Sequence, residues 1–298
     1  MDLQRGNFPF LIALAAALVT LSGGPSGSAP AMPDFSGVWT HANPGFEPLS
    51  SGPTSLINRS RRPNGTGDGL KLTGDYTNPI LKPQSAEIVK QHGALAVAMG
   101  DPNPHNQCRP EGPPFLLTNA PTQIVQAGDK VVILYQDNMQ VRHIRMNAQH
   151  PAKVTPSWYG DSVGHYEGDT LVIDTVGIKV GKYGMVDWYG TPHSEALHVV
   201  ERYRMIDYET AKEGFERDAK EHNVDPGKPV ANPQGKYLQL YFTVEDSKFF
   251  TTKWSATMTY RYAITGQVGD WAEQACGENI FWYPGVESDL PRAARPDF

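Results

Sequence analysis

The stretch Phe250-Thr251-Thr252-Lys253-Trp254-Ser255-Ala256-Thr257-Met258-Thr259-Tyr260-Arg261-Tyr262-Ala263-Ile264 carries a period of two. Phe250, Trp254, Ala256, Met258, Tyr260, Tyr262 and Ile264 fall on one face. Thr251, Lys253, Ser255, Thr257, Thr259 and Arg261 fall on the other. Successive strand side chains point to opposite faces, so this pattern describes a long strand with one apolar and one polar side.

The same period recurs on the N-terminal side. Thr122–Gln126, Val131–Gln136 and Gln140–Met146 read as a β-meander with turns at 127–129 and 137–138. Val163–Glu167 and Thr170–Val176 flank Gly168-Asp169, a two-residue hairpin signal. Glu195–Ile206 and Lys236–Glu245 add two more strands, with a short helix and loop over 209–235. One further helix is expected over 84–99, capped by Ser85 and ended by Gly100 and Pro102. The fold class expected is mainly β: an antiparallel β-barrel, lipocalin-like fold or sandwich with one N-terminal helix and long Pro/Gly-rich arms. Residues 32–298 form a single domain, with an arm (32–121), a β core (122–265) and a tail (266–298).

Composition agrees. The 298 residues include 29 Gly and 25 Pro, about 18% of the chain against an average near 12%. Charged residues are 19% and aromatic residues 10%, which excludes a coiled coil and wholesale disorder. A net charge of −6 argues against nucleic acid as a partner. No βαβ alternation, G-x-G-x-x-G or P-loop is present, so an organic nucleotide cofactor is not expected.

Residues 1–31 read as a signal peptide. Arg5 supplies a basic start, Phe8–Leu21 an apolar core, and Ala29-Pro30-Ala31 a small-residue cleavage site. The mature protein is then periplasmic or secreted and has no membrane partner. Cys108 and Cys276 are the only cysteines. In an oxidising compartment they are expected to form a disulfide. It would close a loop of about 170 residues, worth on the order of 4–5 kcal/mol.

Polar chemistry concentrates between 142 and 202. In the 163–176 hairpin, Glu167 pairs with Thr170, Tyr166 with Leu171 and His165 with Val172. Asp161, His165 and Asp174 then share a face, and Asp174 is a diagonal neighbour of His165. A His held by an Asp is equipped for proton transfer. His193, Glu195 and His198 cluster at a strand mouth, where catalytic groups gather on rigid β scaffolds. Glu201 and Arg202 point to opposite faces. The one that faces inward needs a partner, and Arg142 or Arg145 is placed to serve Glu201. Trp158, Tyr159 and Trp188 are candidates for an aromatic wall around a ligand. No H-E-x-x-H or H-x-H occurs among the nine histidines. A divalent metal would need His150, His165, His193 or His198 with Glu195 brought together by the fold.

Phe35-Ser36-Gly37-Val38-Trp39 resembles the G-x-W start of lipocalin-like barrels. Two longer stretches carry a second resemblance. One is Trp158-Tyr159-Gly160-Asp161-Ser162-Val163-Gly164-His165-Tyr166-Glu167-Gly168-Asp169-Thr170-Leu171-Val172-Ile173-Asp174-Thr175. The other is Pro192-His193-Ser194-Glu195-Ala196-Leu197-His198-Val199-Val200-Glu201-Arg202-Tyr203. Together they resemble an uncharacterised family of exported bacterial proteins, over roughly residues 105–206. The resemblance implies export and no particular activity.

The functional expectation is an exported, cofactor-independent enzyme acting on a small organic or sugar-derived substrate by lyase, isomerase or hydrolase chemistry. His165 is the expected general base, held by Asp174 or Asp161. His193 or His198 is the second acid–base group, with Glu195 beside them. Arg142 or Arg202 neutralises substrate charge, and Glu201, Trp158, Tyr159 and Trp188 line the site. The alternative is a periplasmic lipocalin-like carrier of a small molecule.

Overall fold

A computed structural model of the chain describes residues 32–41, 45–99, 103–119, 121–222 and 234–263. The expected signal peptide, the tail after 263 and Cys276 lie outside the described residues. Among the described residues there is no free thiol, and no helix is long and apolar enough to cross a membrane.

Ten strands form one sheet. They are β1 (Gly37–Thr40), β2 (Glu47–Pro48), β3 (Thr122–Ala127), β4 (Lys130–Tyr135), β5 (Gln140–Met146), β6 (Asp161–Glu167), β7 (Thr170–Val176), β8 (His198–Ile206), β9 (Tyr237–Glu245) and β10 (Trp254–Tyr262). Two helices accompany them, α1 (Pro83–Met99) and α2 (Tyr208–His222). Neighbours run β1-β3-β4-β5-β6-β7-β8-β9-β10, and β1 pairs back onto β10 through Trp39 with Tyr262. Nine strands therefore close into a barrel, with β2 added beside β10. Closure removes the sandwich option.

The hairpin register is as read from Gly168-Asp169: Glu167 opposes Thr170, and His165 opposes Val172. One pairing departs from an all-antiparallel barrel. β5 and β6 run parallel, with Arg145 opposite Val163 and Met146 opposite Gly164. The chain reaches β6 through the crossover 147–160, the longer connection that parallel strands require.

The interior is filled. Ile124, Ile133, Ile144, Leu171, Ile173, Val199, Leu240, Phe242 and Trp254 are buried in one apolar cluster. Among them sits an ion pair. Arg142 of β5 donates from Nη2 to Glu201 Oε1 at 2.6 Å and from Nη1 to Glu201 Oε2 at 3.1 Å. Two further donors are met by Ser162 Oγ on β6 (3.1 Å) and Thr175 Oγ1 on β7 (2.6 Å). Tyr203 Oη donates to Glu201 Oε2 at 2.9 Å. Arg142 and Glu201 are 1% and 0% exposed, so neither reaches solvent. Burial pushes the nearby Tyr135 hydroxyl up to about 12.

β10 is more enclosed than its alternation suggests. Ser255, Thr257 and Thr259, the expected polar face, are also buried. The cover comes from β2 and α2. Thr257 Oγ1 donates to Glu47 of β2 at 3.3 Å, and Arg217 of α2 donates to the same carboxylate at 3.2 Å. Gly214 lets α2 approach this closely, since a Cβ there would lie 2.0 Å from Thr259 Oγ1. The strand is also shorter than expected: Phe250 lies outside it and bridges to Leu81.

Two predictions follow from these buried charges. Arg142→Met leaves Glu201 uncompensated and should lower unfolding stability by about 3–5 kcal/mol in urea titrations, whereas Arg142→Met with Glu201→Leu should recover most of the loss. Glu47, pushed up to about 7 by burial, binds a proton in the folded state that the unfolded chain releases near 4.5. Stability should therefore fall as pH rises from about 4.5 to 7, and Glu47→Gln should flatten that slope.

Candidate functional site

The histidines expected to act together occupy three separate settings. On the outer face, His165 Nε2 meets Glu167 Oε1 at 3.0 Å, and Arg202 donates to Glu167 Oε2 at 3.1 Å. His165 is half exposed there and does not hold the expected hydrogen bond to Asp174. The face assignment is correct, but another histidine reaches Asp174 first. The crossover 147–160 lays His150 over the sheet. Its Nδ1 meets Asp161 Oδ1 at 2.6 Å, and its Nε2 meets Asp174 Oδ1 at 3.0 Å.

His198, at the start of β8, meets the same Asp174 oxygen through Nε2 at 2.9 Å. Arg145 donates to both oxygens of Asp161, and His198 Nδ1 lies 4.0 Å from Glu245, which Lys253 pairs at 2.6 Å. The result is a line of alternating basic and acidic side chains across five strands, Arg145, Asp161, His150, Asp174, His198, Glu245 and Lys253. Its hydrogen bonds hold Asp174 below the usual carboxylate range against the opposing effect of partial burial. The Asp174 contact raises His198 above its ordinary value. Among the described residues, no group of three or more His, Cys, Asp or Glu is placed to hold a metal ion.

Arg142 and Glu201, expected to bind substrate, are buried in the barrel interior and paired with each other. Arg202 is an outer-face residue paired with Glu167. Glu195 lies exposed in the turn before β8, which starts at His198 and not at Glu195.

The third setting is a cleft built from loops. Its lining includes Pro104, Pro110, Trp158, Lys179, Lys182, Met185 and His193. The enclosed part is about 20 Å³, room for about one water. Loop pairing assembles it: Ser157 N donates to Gly177 O at 3.1 Å, and Lys179 N donates to Ser157 O at 2.8 Å. Trp158 is thereby set beside Lys179, whose Nζ lies 4.7 Å from the indole centroid. Gly181 is required under the same ring, because a Cβ there would lie 2.5 Å from Trp158 Cζ3.

His193 is 7% exposed and braced from both sides. On one side, Asp187 accepts from Tyr189 N, Thr191 N and Thr191 Oγ1. On the other, Asp246 accepts from Ser194 N (2.6 Å) and Ser194 Oγ (3.0 Å). His193 Nδ1 lies 3.2 Å from the Ser194 carbonyl oxygen. A carbonyl only accepts, so Nδ1 carries the proton and Nε2 carries a lone pair. Burial holds the imidazole below its ordinary pKa, which keeps that lone pair available.

Of the expected aromatic wall, only Trp158 lines this cleft. Trp188 donates from Nε1 to Thr118 Oγ1 at 2.9 Å and packs 5.1 Å from Phe115. Tyr159 packs against the barrel's apolar cluster. Sequence reasoning named His150 only as a candidate metal ligand and missed Lys179 and Lys182. The available signal for the lysines was Gly177-Ile178-Lys179-Val180-Gly181-Lys182-Tyr183-Gly184, where lysines alternate with residues that permit close approach. It also missed the His105–Glu111 contact (3.2 Å) in the loop bearing Pro104 and Pro110.

No protein-family model, curated protein or solved structure matches the chain.

The outer charge line has a pH signature. His198 is raised in the folded state, so its stabilisation is full below about 6.5 and is lost as pH rises through the raised value. His198→Ala should therefore cost stability at pH 6, by about 1 kcal/mol at this half-exposed site, and little at pH 9. Urea titrations of both proteins at the two pH values measure this.

Proposed function

We propose that this protein is an exported enzyme that uses histidine acid–base chemistry on a small organic or sugar-derived substrate, with His193 as general base. One observation carries this reading: the nearly buried His193 lines a cleft with its Nδ1 proton held on the Ser194 carbonyl, which leaves Nε2 as the basic nitrogen. A base is useful when its lone pair is free at working pH and its orientation is fixed by its other nitrogen. The Ser194 carbonyl supplies the orientation, and Asp187 and Asp246 hold the segment that carries it.

In the step proposed, Nε2 takes a proton from substrate carbon or oxygen, and the bonding electron pair stays on that atom. The resulting imidazolium keeps its Nδ1–H on Ser194. Elimination and isomerisation begin in this way, and hydrolysis begins with the same transfer from an attacking water. Export rests on the leader-like residues 1–31 and on the resemblance of the 158–175 and 192–203 stretches to exported proteins. Against a lipocalin-type carrier stands the barrel interior, where the space of a calyx is taken by Arg142, Glu201 and the surrounding apolar cluster.

The test is a screen of small organic and sugar-derived compounds by proton NMR in heavy water, scoring product formation or C–H exchange. Wild-type protein should act on at least one class. His193→Gln should lower that rate by about 10²–10⁴-fold while keeping the fold. The rate should hold its plateau below pH 6.5 and fall only under the lowered pKa of His193. Loss on His165→Ala with His193→Gln unaffected would return the role to His165 and sink the reading.

A further inference from the structure

The size and the chemistry of the cleft separate the reactions a base there can serve. The enclosed part is about 20 Å³, room for about one water and too small for a substrate carbon with its substituents. A Cβ on Gly184, which also lines the cleft, would lie 3.1 Å from His193 Nε2, so Nε2 is the ring atom on the Gly184 side. A base that borders a space of this size takes its proton from water. Elimination and isomerisation instead need a substrate C–H at the same nitrogen.

The rest of the lining removes other routes. Among the described residues, it holds no Ser, Thr, Cys or Tyr, so no hydroxyl or thiol is placed to form a covalent intermediate. It holds no Asp or Glu either, and glycoside hydrolysis relies on a pair of carboxylates. Water is then the attacking group, and an acyl carbon is what it attacks. Trp158, Pro104, Pro110 and Met185 offer apolar surface to the organic part of such a substrate. Lys179, its ammonium 4.7 Å from the Trp158 ring centroid, brings positive charge to the same lining. A ring face attracts a cation without neutralising it, so that charge can stabilise an oxygen that becomes negative.

We infer that the cleft catalyses ester hydrolysis, with a water in its enclosed part as nucleophile, His193 as the base and the ester at the mouth. This rests on the base role proposed for His193 and adds the substrate class. His193 Nε2 takes one proton from water as the water oxygen bonds to the acyl carbon, and the carbonyl electron pair moves onto the carbonyl oxygen. When that pair returns, the bond from the acyl carbon to the alkoxy oxygen breaks, and the leaving oxygen takes the proton from Nε2. Ester and water become acid and alcohol, and His193 is restored.

p-Nitrophenyl acetate is the probe, with p-nitrophenolate release followed by absorbance. Wild-type protein should release it above the buffer rate, more slowly in heavy water, and with no burst equal to the enzyme present. His193→Gln should lower kcat/KM by about 10²–10⁴-fold. Gly184→Ala should lower kcat by about tenfold or more with KM unchanged, because its methyl enters the space beside Nε2 and not the mouth. Circular dichroism should show both variants folded. Release at the buffer rate, a burst with one acetyl group added to the protein, or an unaltered rate in folded Gly184→Ala would overturn the inference. If His193→Gln abolishes C–H exchange in the compound screen while wild-type protein leaves the ester untouched, the base role stands and the water assignment falls. If His193→Gln alters neither reaction, both fall.

Discussion

A guanidinium and a carboxylate sealed inside the barrel constrain everything around them. Arg142 and Glu201 lie on strands that are not neighbours, so their bidentate contact crosses the interior and does not run along the sheet. Each has been stripped of water, and each survives only because the other, two hydroxyls and a tyrosine complete its hydrogen bonds. This fixes more than a distance. A one-residue slip of β5 or β8 would carry a charge to the wrong face. The pair therefore pins the register of both strands, and through β7 and β6 it pins the outer face as well.

The outer line of charge inherits that register. Asp161, Asp174 and His198 occupy positions one residue from Ser162, Thr175 and Val199, which point inward. Inward residues define the barrel and their immediate neighbours define the surface cluster. Histidine chemistry then divides by environment. Where carboxylates face the ring, as at His198, the charged form is favoured. Where burial and one carbonyl surround it, as at His193, the neutral form is favoured.

Much of this was legible in the sequence. The alternation of 250–264, the Gly168-Asp169 turn and the opposite facing of Glu201 and Arg202 follow from a period of two, and Arg142 as the partner of Glu201 follows from the cost of a buried lone charge. Three features were not legible, for a common reason. Burial of Thr257 and Thr259 depends on Glu47 and Gly214, far away in the chain. Asp174 is taken by His150 because a crossover folds back over the sheet. The cleft is made from three loops whose local patterns carry no periodicity. Local spacing determines which face a side chain takes, whereas the partner it meets there depends on connections between distant segments.

The parallel step between β5 and β6 has a further consequence for how the barrel comes apart. It is held by two residue pairs, and so is the closure between β1 and β10. By contrast, β8 and β9 share nine. These two narrow joints divide the sheet into a block of β1 and β3–β5 and a block of β6–β10. Cooperative units of opening follow such divisions. Amide exchange should thus begin along the joints and reach the β8–β9–β10 ladder last. Arg142 belongs to the first block and Glu201 to the second. The buried ion pair thus ties the two blocks together across the barrel, beside the crossover that brings His150 and Trp158 to their places.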